Sequence, residues 1–403
     1  MALVKMFPAK NGDSFLIRES NSHGAGLILI DGGFESTFRE SILPELKSLS
    51  QAGAQLDLVV VTHIDADHIL GIISLIKANG HSSSPKVIPV RNVWHNSLRS
   101  ISLTRSKAIP TKTDQAVLSA ICASGFSPTE ENESHAQEVS GRQGSSLAAL
   151  LLKGSYRWNG ADGQGSITSS MAAPLEITGT MRVHALGPKH ERLEALRRSW
   201  MKELRRLGVL GAISDSASFD DAFEFMNALA PAEDDLGAVE IAHSKIDDKA
   251  LTDTYLPDTS ANNGSSISVI VETPQVRMLF LGDAWAEDIE EAILSSSAGQ
   301  SQVVFDAIKI SHHGSARNTS PRLLSLIDAP VYFISSDGGK HGHPDLPVLR
   351  AIVDRPTNFV RHLHFNYSTP ASRELAKYQS KSGALFKVYE NSTDWIAIGK
   401  NGS

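Results

Sequence analysis

"THIDADHILG", residues 62–71, sets two imidazoles and two carboxylates, His63, Asp65, Asp67 and His68, within six positions. It follows "LDLVVV" (56–61), an apolar run of the kind that forms a buried strand. It precedes "ILGIISLIKANG" (69–80), which restarts at helical spacing. The cluster is therefore expected on a strand-to-helix loop, where α/β proteins commonly carry their chemistry. Residues two apart on an extended loop project the same way, so His63, Asp65 and Asp67 can converge, and His68 can turn in from the helix start. Imidazole and carboxylate together suit zinc, manganese, iron or magnesium. A loop that only capped the helix would use Asp65 and need none of the other three.

Working outward, three later runs end in similar atoms: "LFLGDA" (279–284) with Asp283, "IKISHHGS" (308–315) with His312 and His313, and "FISSDGGKHGHPD" (333–345) with His341 and His343. Each reads as a buried strand followed by a polar tip. Three such tips in succession are hard to explain by packing. A strand-end carboxylate such as Asp283 can bridge two cations, one oxygen to each.

The chain has 403 residues, 41% apolar and 21% charged, which fits one large or two ordinary soluble domains. No apolar run approaches the roughly 18 residues that span a membrane, and "MALVKMFPAK" reads as a strand rather than a signal peptide, so a cytoplasmic setting is expected. Cys122 is the single cysteine, which leaves no disulfide framework and no cysteine-based zinc finger. The net charge of −7 disfavours a general nucleic-acid coat but not a nuclease, because bound metal offsets a carboxylate-rich site. The 15 histidines lean towards metal or acid–base chemistry.

Strands are expected in "LVKMFPA", "DSFLIRE" and "GLILIDGG", then a helix in "STFRESILPELKSLSQAG" with Ile42, Leu46 and Leu49 on one face. Between 97 and 265 the order loosens into short helices and Gly/Ser-rich or acidic loops. One clear amphipathic helix stands out there, "ERLEALRRSWMKELRRLG", with Leu193, Leu196, Trp200, Leu204 and Leu207 on its apolar stripe. Arg197, Arg198, Lys202, Arg205 and Arg206 lie mostly elsewhere on it, as a solvated or a phosphate-binding face. From 266 onward strand and helix alternate again. Each half thus begins with strands and then alternates, as expected of two sheets packed face to face with helices outside.

In this order, Asp31 in "LILIDGG", "HIDADH", "LFLGD", "SHHGS" and "GHP" resemble the metallo-β-lactamase superfamily, and most closely the hydrolase domain of ComEC-type competence proteins and their soluble stand-alone relatives. The similarity covers about 1–96 and 264–350 and is patchy between. It implies a four-layer αββα sandwich, read here as one domain over 1–403, and the position of 97–265 between the two halves suggests a largely helical inserted cap or lid. It further implies His63, Asp65, Asp67, His68, Asp283 and His343 as ligands to one or two divalent ions, zinc or manganese, with magnesium an alternative. Asp31 would orient them through hydrogen bonds. His312 and His313 would line the site as ligand, proton donor or phosphate contact.

The chain departs from the wider superfamily at Asp65, where many members have histidine. It also lacks a clear intermediate histidine: His95 in "VWHN" is the one well-placed candidate, and a core or rim imidazole is its plainer reading. A ligand-poor first site favours manganese or magnesium over two tight zincs.

The resemblance implies a metal-dependent hydrolase, foremost a phosphodiesterase or nuclease acting through a metal-activated water. Asp67 would hold metal and the nucleophile's proton, and His312 or His313 would protonate the leaving oxygen. Ser311, Ser315, Arg317 and Asn318 are candidate phosphate donors, with Lys309 at the rim. The alternatives are a small-molecule ester or lactone hydrolase, or a non-catalytic subunit of a bacterial defence system with a protein partner.

Overall fold

The computed structural model describes residues 2–21, 24–102, 107, 109–123, 146–228, 250–296, 300–340 and 342–399. Its strands in chain order are β1 (Ala2–Met6), β2 (Phe15–Asn21), β3 (Gly24–Ile30), β4 (Leu58–Val60), β5 (Val93–Trp94), β6 (Leu175–Glu176), β7 (Arg182–Ala185), β8 (Val269–Glu272), β9 (Arg277–Phe280), β10 (Val303–Val304), β11 (Ala307–Lys309), β12 (Ile327–Asp328), β13 (Val331–Ile334), β14 (Arg361–Phe365), β15 (Phe386–Tyr389) and β16 (Trp395–Ile398).

They form two large sheets, β16-β1-β2-β3-β4-β5 and β15-β14-β13-β11-β9-β8-β7-β6, and a small pair, β10-β12. In the first sheet β16 through β3 run antiparallel, and β4 and β5 follow β3 in parallel. In the second, β15 to β9 are parallel and β9 to β6 antiparallel. The placing of β16 beside β1 closes the first sheet with the last strand of the chain, a pairing that periodicity does not reveal.

Successive side chains of a strand point to opposite faces, so a strand covered on both sides reads as an unbroken apolar run. That is what the sequence shows here. Phe15, Ile17, Ile28, Ile30, Leu58 and Val60 face the second sheet and pack on Val269, Val271, Met278, Phe280 and Phe333. Their neighbours Leu16, Leu27, Leu29, Val59 and Val61 face the other way, onto Ile42, Leu46, Ile69, Ile72 and Leu75 of the outer helices. The second sheet sends Leu279, Ile308, Tyr332 and Leu363 to its own outer helices through Ile289, Leu323, Leu349 and Ile352. Three apolar layers thus separate four layers of structure, the αββα sandwich expected.

The helices Lys112–Ala123, Leu147–Lys153, His190–Arg206 and Ala217–Ala228, all within 97–265, share the outer core of the first sheet through Leu118, Leu151, Leu196, Trp200 and Phe223. The last of these helices was not anticipated, although Phe219, Ala222, Phe223 and Met226 carry the helical period. Leu207 departs from the expected stripe. The helix ends at Arg206, Gly208 turns the chain at φ 97°, and Leu207 is left 52% exposed. The acidic stretch 232–249 lies outside the described residues, and no described helix is long and apolar enough to cross a membrane.

Asp328, at the end of β12, pairs with Arg361 of β14 (2.6 Å) and Arg355 (3.0 Å) and accepts from the Tyr332 hydroxyl (2.9 Å). Burial would raise its pKa, but the bond to Arg361 and the charge of Arg355 outweigh burial and hold it below the usual carboxylate range. Since Arg361 is 0% exposed, Asp328→Ala leaves a guanidinium buried and uncompensated, at a cost of about 3–5 kcal/mol. Thermal unfolding should show a clear loss of Tm. In the wild type this contribution is complete above the ordinary carboxylate pKa and disappears as pH falls through the lowered value.

Candidate metal centre

The parallel strands of both sheets end at the same edge. β3 leads into Asp31, β4 into Thr62–His68, β9 into Asp283, β11 into His312 and His313, and β13 into Ser335–His343. The register pairs Lys309 with both Phe280 and Phe333, so these tips leave the second sheet side by side. Backbone bonds tie the tips together: the Ile267 amide donates to Thr62 (2.8 Å), that of His312 to Gly282 (3.0 Å) and that of Gly32 to His68 (2.9 Å). Two close approaches fix the "HIDADH" turn. A Cβ on Gly12 would stand 2.0 Å from the Asp67 carbonyl, and one on Gly71 would stand 1.9 Å from that of Gly32. Glycine is required at both.

The helix Ala66–Asn79 begins inside the motif, with Asp65 as its N-cap. The alternation expected of an extended loop therefore stops at Asp65. Asp67 and His68 are placed by the first helical turn, and Asp67 carries its charge where the helix dipole favours an anion. Asp65 makes no capping bond; its carboxylate lies 3.4 Å from His63 Nε2 and accepts from Asn262 Nδ2 (2.7 Å).

Four imidazole nitrogens surround one oxygen. Asp283 Oδ2 lies 3.3 Å from His68 Nε2, 3.5 Å from His313 Nε2 and 3.8 Å from the Nε2 atoms of His63 and His312. On the far side of each ring an acceptor fixes the proton on Nδ1. His68 Nδ1 meets Asp31 Oδ2 at 2.8 Å, and His313 Nδ1 meets the Ser335 carbonyl at 2.9 Å. The Thr62 hydroxyl donates to Asp31 (2.7 Å), so it accepts from His63 Nδ1 (3.0 Å). Asn318 Nδ2 donates to Asp258 (2.7 Å) and to the Asp283 carbonyl (3.1 Å), so its Oδ1 accepts from His312 Nδ1 (2.7 Å). With Nδ1 carrying the proton, each Nε2 turns a lone pair towards Asp283.

Backbone strain marks the same place. Asp31, His312 and His313 have φ of 57°, 45° and 56°, and Gly282 and Gly314 have 55° and 88°. Left-handed non-glycine residues cost about 1–3 kcal/mol each and cluster at sites where geometry matters.

Lone pairs and carboxylates aimed at one locus repel unless something positive stands between them. Among the described residues, His63 Nε2 and His68 Nε2 are buried with no hydrogen-bond partner. Burial would lower the His68 pKa, but Asp283, Asp31 and Asp67 raise it well above the usual value. Burial is likewise outweighed at His313, which Asp283 and Asp13 hold at about 9. The field of the pocket calls for positive charge. A proton can satisfy one of these atoms; a divalent cation can satisfy several at once. The trios His63–His68–Asp283, Asp67–His68–His313, Asp283–His312–His313 and Asp13–Asp31–His68 each bring ligand atoms within 4.8 Å of one another. The residues fit a divalent metal.

The placement of the other expected residues is mixed. Asp67 stands 3.8 Å from His313 Nε2 and accepts from Asn11 Nδ2 (2.9 Å). His343 is not among the four rings around Asp283 Oδ2; its ring lies 5.4 Å from that of His312, and its Nδ1 3.5 Å from Asp345. His341 lies outside the described residues. His95 does not reach the cluster: it is buried, bonded to Glu224 (2.9 Å) and stacked on Trp158. Ser311 and Asn318, expected as phosphate donors, are occupied by protein partners, Ser311 by the Ala284 carbonyl.

Lys309, expected at the rim, is 1% exposed. It pairs with Asp13, donates to the Gly282 carbonyl (2.9 Å) and stands 3.7 Å from Asp283 Oδ1. The two oxygens of Asp283 thus face different partners, imidazoles on one side and an ammonium on the other. Asp13 itself was missed. "NGDSF" (11–15) gave the signal, a carboxylate opening a buried strand just after a glycine, but one acidic residue in a turn has too many plainer explanations.

The model of the metallo-beta-lactamase superfamily, mostly metal-dependent hydrolases, matches residues 8–99. That stretch holds Asp13, Asp31 and the His63–His68 turn, and stops well before Asp283, His312 and His313. A search of curated proteins finds no match to this chain.

Elemental analysis after exposure to manganese or zinc should find bound metal in the wild type and little in Asp283→Ala, with unchanged circular dichroism. Asp31→Asn keeps every facing atom but loses the acceptor behind His68, and should weaken metal affinity about 10–100-fold.

Proposed function

We propose that this chain is a metal-dependent phosphodiesterase whose preferred substrate is nucleic acid, working with one or two divalent ions, zinc or manganese, in the cytoplasm. The observation that carries the hydrolase reading is the convergence of four imidazole nitrogens on Asp283, with Asp67 beside His68 and His313. The ComEC-type likeness of "HIDADH", "LFLGD", "SHHGS" and "GHP" supports the choice of phosphodiesters within it. His63, His68, His313, Asp67 and Asp283 would hold the metal, with His312, Asp65 and His343 at its margin. A divalent cation bound there acts as a Lewis acid and makes hydroxide available near neutral pH.

The chain's own groups supply the rest. Asp31 and Thr62 hold His63 and His68 with their lone pairs inward. Asn11 restrains the Asp67 carboxylate, leaving it at the pocket mouth, where it can take a proton from an incoming nucleophile. His312 is held by Asn318, which Asp258 holds in turn, with its Nε2 turned inward where it can hand a proton to a leaving oxygen. Asn262 donates to Asp65 and to the Asn227 carbonyl, which ties the 97–265 region to the motif. Through it the 97–265 region takes part in substrate choice, as a cap would.

The acidic net charge gives a lactone or ester hydrolase some weight as a second reading. The two separate in one screen of purified protein with manganese and with zinc, against bis-p-nitrophenyl phosphate, fluorescent single-stranded DNA and a lactone panel. Diester cleavage is the expected result; turnover of lactones alone would overturn it. Asp67→Ala and Asp283→Ala should each abolish turnover with circular dichroism unchanged, and a near-native rate in either would remove the role given to it.

A further inference from the structure

The helix His190–Arg206 buries Leu193, Leu196, Trp200 and Leu204 and turns a basic face outward. Arg198, Lys202 and Arg205 are exposed and stand at i, i+4 and i+7, one stripe on a helix. Their neighbours Arg197 and Arg206 pair with Glu194 (2.9 Å) and Glu203 (2.7 Å). Arg198 adds its charge to that of Arg197 beside Glu194, but none of the three stripe residues makes an ion pair within 4 Å among the described residues. Together with Arg197 and Arg206 they make one basic face on this helix. In a chain of net charge −7 this is a local reversal of sign.

The helix is also anchored at the metal centre. Near its start Arg192 lies over the Trp285 ring at 4.0 Å, and Trp285 Nε1 donates to the Ser260 carbonyl (3.0 Å). Ser260 caps the turn Ala261–Gly264, whose Asn262 holds Asp65. Arg198 stands six residues beyond Arg192, so the basic stripe begins about 9 Å further along the same helix. From Arg198 to Arg205 the rise is about 10 Å, roughly three nucleotides of a stacked strand.

We propose that this face binds the phosphate backbone of single-stranded nucleic acid, presenting it to the metal centre. The choice of ligand rests on the phosphodiesterase reading above; the surface itself rests on the unpartnered stripe. Binding is by backbone charge, with no base-reading group in the stripe, so it is indifferent to sequence and sensitive to salt. Exposed Leu207 and Leu210 at the far end would equally suit an anionic lipid surface. The anchoring of the helix at the cleft favours a polyanion that the centre can cleave.

The test is fluorescence anisotropy of a labelled 20-nucleotide single strand with the full chain in EDTA, from 50 to 200 mM KCl. The comparison is Arg198→Gln/Lys202→Gln/Arg205→Gln, whose substitutions are all solvent-facing. The variant should bind at least ten-fold more weakly, with a salt slope shallower by about 2, while its cleavage of bis-p-nitrophenyl phosphate with manganese stays at the wild-type level. Equal affinity and slope in the two proteins would overturn the proposal. So would a wild type that binds phosphatidylserine vesicles but not the oligonucleotide. Stripe-dependent binding without hydrolysis of any diester would support the surface and remove the phosphodiesterase reading instead.

Discussion

Four imidazole lone pairs cannot be held around a carboxylate oxygen in a buried pocket without a positive charge among them. In this protein the orientation of each ring is set from behind, by Asp31, Thr62, Asn318 and the Ser335 carbonyl. The facing atoms have no freedom to turn away and find other partners. The rest of the site follows from that constraint. The raised pKa values of His68 and His313 and the lowered ones of Asp283 and Asp13 are the same field seen from its two signs.

The fold supplies this convergence by geometry. Two sheets packed face to face bring the carboxyl ends of their parallel strands to one edge, and the tips differ enough to meet. The glycine contacts let the "HIDADH" turn lie directly on the loops after β1 and β3. The buried Lys309–Asp13 pair sits beneath, between Asp283 and the back of His313. It places a fixed cation on the side of Asp283 that the imidazoles do not occupy, which keeps the second oxygen of that carboxylate from competing for them.

The layers were legible because both faces of the central strands are buried, so "LVVV" (58–61) and "GLILI" (26–30) read as unbroken apolar runs. The strand-tip histidines and aspartates were legible because polar atoms at such ends stand out against those runs. Other features were hidden for identifiable reasons. Lys309 looked like a rim residue because a lysine in sequence carries no sign of its buried partner, and Asp13 lies almost three hundred positions away. His313 reaches Asp283 through two successive left-handed residues that no periodicity encodes, and the His343 ring follows 5.4 Å from that of His312. His95 needed Glu224 to be explained, and Glu224 lies on the helix that went unrecognised.

Anomalous diffraction from crystals of the protein grown with manganese or zinc tests the central claim most directly. A peak in contact with Asp283 and with the Nε2 atoms of His63, His68 or His313 is the result this account predicts. Well-ordered side chains with no anomalous density there, at saturating metal, would contradict it.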